Sequence, residues 1–207
     1  MHQLMIWSCL ASMILFSLPG FALDQAQNAD AAESKAAVLE KKAAAGGSKA
    51  PPTGAQIITK PETQAVDPAG NEPLDEAITC LARTIYWEAR GEDSDSMEAV
   101  ANVVMNRLGQ KHFPNRICDV VREGSEQGSC QFSWWCDGHT DEAEDKKSYE
   151  KAKEIARKAL NKQLVDRTRG ALYFHHGKAT TSWSAEYIKT VEIGEFSFYK
   201  PHNGVAK

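Results

Sequence analysis

Between residues 74 and 89 apolar side chains recur at Ile78, Leu81, Ala82, Ile85 and Ala89, the i, i+3, i+4, i+7 spacing of a helix with one buried face. Gly91 is expected to end that helix. A second helix is predicted from Asp95-x-x-Glu98, with Met97, Val100, Val104 and Leu108 inward and Arg107 at the border of the inner face. Phe113-Pro114 marks a turn, and Ile117, Val120 and Val121 form a short helix or strand. Residues 124–138 are rich in glycine and serine and read as a loop. A charged helix follows over residues 145–161, with Tyr149, Ala152, Ile155, Ala156 and Leu160 as its buried stripe. Short β-prone pieces, 171–175 and 190–193, close the pattern. The expected fold is α+β, mainly α, with a small β element, in one domain over residues 74–207.

The start of the chain has a different texture. Residues 4–18 make an apolar run, and Gly20-Phe21-Ala22 supplies small residues where a signal peptidase reads, although the run is preceded by His2 and no Lys or Arg. Residues 1–22 are therefore expected to be a secretory signal peptide and the protein periplasmic; the alternative is an uncleaved anchor in the inner membrane. Residues 23–73 hold no aromatic residue and are rich in Ala, Lys, Gln, Gly and Pro. So little apolar surface does not offset chain entropy, which predicts a disordered linker, transiently helical over residues 29–45.

The net charge of −4 argues against a partner recognised through phosphate neutralisation, so no nucleic acid is expected. Cys80, Cys118, Cys130 and Cys136 are an even set in an exported chain, which makes disulfides the expectation and leaves three pairings open. There is no Cys-x-x-Cys, and His175-His176 lacks ligand spacing, so neither metal nor other cofactor is expected.

Candidate chemistry centres on Ile85-Tyr-Trp-Glu88-Ala-Arg-Gly-Glu92. Glu88 falls at the edge of the apolar face beside Tyr86 and Trp87. Partial desolvation would disfavour its charged form and leave a proton to donate near neutral pH, the work of a general acid in glycosidic bond cleavage. The competing reading is a rim residue paired with Arg83, Arg90 or Arg107. Glu92 is a possible second carboxylate if the helix continued; otherwise it holds Arg90 or a loop. Sugars present apolar faces edged by hydroxyls, so Tyr86, Gln131, Phe132, Ser133, Trp134, Tyr173 and His175 are candidate binding residues. In the bland alternative Phe132 and one of Trp134 and Trp135 belong to the core, and His175 is structural. Arg107 is expected to support a carboxylate from beneath.

Ala82-Arg-Thr-Ile-Tyr-Trp-Glu-Ala-Arg-Gly-Glu92, then Met97-Glu-Ala-Val-Ala-Asn-Val-Val-Met-Asn-Arg107, Phe113-Pro, Cys130-Gln-Phe-Ser133, Gly170-Ala-Leu-Tyr-Phe-His175, Trp183 and Ile193-Gly-Glu-Phe-Ser-Phe-Tyr199 occur in that order. Together they resemble the SleB-type cell-wall hydrolase family, in its exported proteobacterial form. The resemblance implies a small, mainly helical fold akin to lysozymes and resuscitation-promoting factors. It also implies cleavage of peptidoglycan glycan strands, often by lytic transglycosylation, with the glutamate that opens Glu-Ala-Arg-Gly-Glu, here Glu88, as catalytic acid. A hydrolytic muramidase or glucosaminidase with a second carboxylate is the nearest alternative. A non-catalytic scaffold that recruits an envelope-spanning assembly is the alternative from another class. A monomer is expected.

Overall fold

The α3 helix, Ala77–Ala89, buries Ile78, Leu81, Ala82, Ile85 and Ala89 as the periodicity requires, but Thr79, Cys80, Arg83, Thr84 and Tyr86 are buried as well. A helix enclosed on nearly every side is a central element rather than a surface one. The computed structural model describes residues 19–46, 50–177 and 181–202. Around α3 pack α1 (Pro19–Ala44), α4 (Ser94–Arg107), α5 (Ile117–Arg122) and α6 (Lys146–Leu160), while α2 (Lys60–Ala65) bridges α1 and α6. The mainly helical architecture with a small β element is the one expected from the pattern.

Helix starts follow local chemistry. Asp93, two residues before the expected start, caps α4 by accepting the Ser96 N–H at 2.8 Å, and Asp145 caps α6 by accepting from Lys147 and Ser148. Gly91, at φ +93°, takes the left-handed turn that separates α3 from α4. Disulfides join Cys80 to Cys118, tying α3 to α5, and Cys130 to Cys136, closing the loop that ends in the short 3-10 turn Ser133–Trp135.

Residues 23–73 were expected to be disordered; the described part instead carries α1 and α2, and particular side chains along it dock onto the core while residues 22–27 and most of 50–56 stay exposed. Helix α1 buries Ala32, Ala36 and Leu39, and its Lys35 bonds the Ile57 carbonyl at 3.0 Å and Glu62 at 2.6 Å. Ile58 is fully buried and exchanges two hydrogen bonds with the Asn161 side chain, at 3.0 and 2.8 Å. Asp67, also fully buried, accepts from the Asn71 and Glu72 backbone, from Arg83 at 3.0 and 2.7 Å, and from the Tyr149 hydroxyl. The physical reason for the difference is that small alanines allow close helix contact and buried polar side chains satisfy the backbone, two effects that hydrophobic content does not register. The expected signal peptide lies outside the described residues except for positions 19–22, which open α1. Among the described residues no helix is long and apolar enough to cross a membrane.

The sheet is antiparallel, in the order β1 (Tyr173–His176), β3 (Phe196–Lys200), β2 (Ile188–Ile193). Strand β3 was not separated from its neighbour by the sequence pattern. Side chains alternate across the strands, so Phe174, Phe196 and Phe198 share the core face and Tyr173, His175, Ser197 and Tyr199 the other. In β2 the register skips Thr190 between Lys189, opposite Tyr199, and Val191, opposite Phe198. This bulge lets Lys189 point outward while Val191 and Ile193 return to the core face.

Candidate active site

Glu88 lies in the last turn of α3, where the helix leaves the core, and its side chain is half-buried. Burial pushes its carboxyl up to about 7, against the opposing pull of the Arg107 guanidinium and of the Ser133 N–H that donates to it. Desolvation outweighs both. None of the ion pairs considered for Glu88 forms: Arg83 belongs to Asp67, while Arg90 bonds the Tyr86 hydroxyl at 3.0 Å and lies over the Tyr86 and Trp87 rings. Arg107 acts on Glu88 through its field without a direct ion pair among the described residues.

Arg107 is itself 2% exposed, at the C-terminal end of α4. Its Nε donates to the Leu172 carbonyl at 2.7 Å and its Nη2 to Gln131 Oε1 at 3.3 Å, and the guanidinium sits 5.1–5.4 Å from the rings of Phe132, Phe113 and Tyr173. Burial lowers its pKa to about 10, with Glu123, Tyr173 and Glu88 opposing that fall. The adjacent Asn106 donates to the Ala171 carbonyl at 3.1 Å. The end of α4 therefore holds the chain entering β1 and delivers Tyr173 beside the arginine.

The structure sorts the expected binding residues into two groups. Gln131, Ser133, Tyr173 and His175 lie on or around this arrangement, with Gln131 and Ser133 exposed and Tyr173 and His175 half-buried. Ser133 reaches Glu88 through its backbone N–H. Tyr86, Phe132 and Trp134 differ from expectation: they are 0%, 1% and 4% exposed. The Tyr86 hydroxyl is taken up by Arg90 and the Asp145 N–H, and Phe132 packs between Arg107 and Phe174, so none of the three offers a face to a sugar. Trp135, half-buried under Arg122, is the more open of the tryptophan pair. Glu92 does not hold Arg90. Its Oε1 is 3.4 Å from His176 Nε2, which anchors the start of α4 to the edge of the sheet.

Sequence reasoning missed Glu123. Its carbonyl accepts the Gln131 N–H at 3.0 Å, burial raises its pKa, and Arg107 pulls against that rise. Its Oε2 and Arg107 Nη1 are both buried with no hydrogen-bond partner among the described residues. Two carboxylates thus share the field of one arginine. Trp183, noted only for the resemblance, and Tyr187, which the sequence pattern did not single out, pack against the Tyr173 ring. Among the described residues no group of three His, Cys, Asp or Glu could hold a metal ion. The arrangement can donate a proton from Glu88 and then hold the resulting anion with Arg107 and the Ser133 N–H.

The profile of the cell wall hydrolase family matches residues 91–199, beginning just after Glu88. The spore cortex-lytic enzyme of Halalkalibacterium halodurans is 33% identical over 132 residues, 61% of this chain and 37% of that protein. That of Bacillus subtilis is 31% identical over 119 residues, 55% of this chain and 35% of that protein. The chain thus spans little more than a third of the length of these curated relatives. The catalytic domain of the Bacillus cereus SleB protein is 30% identical, with a TM-score of 0.49 over 63% of this chain and 93% of that one.

Proposed function

The chain belongs to the cell wall hydrolase family, and on that premise we propose that it cleaves peptidoglycan glycan strands, with Glu88 as the single acid and base of a lytic transglycosylation. The observation that carries the reading is a half-buried carboxyl whose pKa is pushed up to about 7 in the field of Arg107. Protonated Glu88 gives its proton to the bridging oxygen as the glycosidic C–O bond breaks. Arg107 and the Ser133 N–H hold the carboxylate that forms. That carboxylate then takes the proton of the sugar's own 6-hydroxyl as its oxygen closes on the anomeric carbon, leaving a 1,6-anhydro end. Gln131, Ser133, Tyr173 and His175 line the approach. Peptidoglycan lies outside the cytoplasm, so this reading requires export to the periplasm, which residues 1–22 would direct, and it needs neither a cofactor nor a second copy of the chain. Residues 74–207 would then form the catalytic domain.

Glu123 favours one second reading, hydrolysis with a water activated by a second carboxylate; Glu92, engaged with His176, is the weaker candidate. Digestion of purified wall followed by mass spectrometry tests both. Anhydro ends, together with loss of at least about a hundredfold in rate for Glu88→Gln, are the expected outcome. Reducing ends would transfer the assignment to a hydrolase, and absence of any lysis by the native chain would leave a glycan-binding scaffold of an envelope assembly.

A further inference from the structure

The outer face of the sheet carries aromatic rings that the core does not need. Phe174, Phe196 and Phe198 already close the inner face. Across the other face residues 183–187 place Trp183 and Tyr187 against Tyr173, His175 and Tyr199. Trp183 lies 5.3–6.0 Å, centroid to centroid, from all four of those rings, and Tyr187 lies 4.9 Å from Tyr173. Trp183 and Tyr187 nevertheless stay only half-buried. The cluster is continuous with the site, because Tyr173 also stands 5.4 Å from the Arg107 guanidinium.

Polar edges accompany the rings. His175 Nε2 and the Tyr199 hydroxyl are 3.1 Å apart, while His175 Nδ1 and Thr181 Oγ1 are buried with no partner among the described residues. Flat apolar faces bordered by donors and acceptors suit a pyranose ring, whose C–H face stacks on an aromatic while its hydroxyl and acetamido groups bond at the rim. Two cations approach the rings: Arg107, buried beneath Tyr173, and Lys189, whose Nζ lies 5.9 Å from the Tyr199 ring centre and is paired with Glu192. With Arg107 enclosed and Lys189 paired, the rings dominate the open surface, which suits a neutral N-acetylated sugar.

We infer that Trp183 and Tyr187 form a sugar-binding subsite on the outer face of the sheet, which grips an N-acetyl amino sugar of the glycan strand beyond the units that flank the scissile bond at Glu88. This inference rests on the glycan-cleaving reading above and specifies how the strand is held. A subsite away from the cut makes affinity grow with strand length and places its effect on binding.

Calorimetric titration of the full chain in the Glu88→Gln background, with N-acetylglucosamine oligomers of increasing length as probes, tests the subsite. Trp183→Ala and Tyr187→Leu should each weaken binding of the longer oligomers about tenfold and leave the shortest nearly unaffected. On glycan strands with Glu88 intact, both should lower kcat/KM mainly through KM. Circular dichroism and thermal melts of each variant establish folding. Should Trp183→Ala unfold, the decision passes to Tyr187→Leu and to whether titrated oligomer shifts the Trp183 indole resonance of the otherwise native chain. Equal affinities in folded variants, or an unmoved indole resonance, would overturn the subsite. Lysis by Glu88→Gln at the native rate would instead overturn the catalytic reading, and the affinities would still report on the platform.

Discussion

Glu88 has a measurable consequence beyond catalysis. Its folded-state pKa of about 7 lies above the ordinary value of 4.5, so between those limits the native state binds more protons than the unfolded one. Stability contributed by the protonated group is therefore lost as pH rises through that window and stays lost above it. Glu88→Gln removes the buried charge. The variant should match the native chain near about pH 4 and exceed its unfolding free energy by on the order of 1–3 kcal/mol near about pH 8, read from urea denaturation at both values. A gap that stays constant with pH would mean that Glu88 is not desolvated. The activity has the same dependence, since kcat/KM should fall as pH rises through about 7 and the acid loses its proton. At this scale the partial desolvation of Glu88 was legible from its place at the edge of the apolar face. Tyr86, Phe132 and Trp134 were not, because periodicity identifies an aromatic residue but not which of its faces is already occupied.

Among the elements, the segment from α2 to α3 is held by a buried charge. Burial pushes the Asp67 carboxyl up, but the Tyr149 hydroxyl, the Glu72 N–H and Arg83 together bring its pKa below the ordinary carboxylate value. Asp67→Ala leaves the Arg83 guanidinium, 2% exposed, without its counter-ion and should cost about 3–5 kcal/mol in chemical denaturation. The bulge in β2 predicts the opposite kind of result. Deleting Thr190 makes Lys189 and Val191 neighbours that already point to opposite faces, so a regular strand would keep every other side chain in place. The deletion variant should fold with a thermal midpoint within a few degrees of the native one. Helices α3, α4 and α6 were legible from their 3.6-residue period; the start of α4 was expected at Asp95, two residues after its cap Asp93, and that of α6 at its cap Asp145. The hairpin was harder, because a strand with a bulge breaks the strict alternation by which strands are read.

At the scale of the molecule, the reading of residues 23–73 as a linker failed for one cause: composition measures how much apolar surface a segment carries, while Ala32, Ala36, Leu39, Ile58 and Asp67 act through where they dock. The resemblance to cell-wall hydrolases carried the family assignment further than any single residue did, since its motifs keep their order across residues 82–199. The clasp between Ile58 and Asn161 has a bearing on how the chain comes to fold. Its two partners are 103 positions apart, so contacts near the N-terminus cannot close until most of the polypeptide has left the ribosome or the translocation pore. A pairing of such long range is expected to form after the rate-limiting step. Stopped-flow measurements on Asn161→Ala should accordingly find faster unfolding with refolding almost unchanged, making that clasp a determinant of how long the native state lasts once it has been reached.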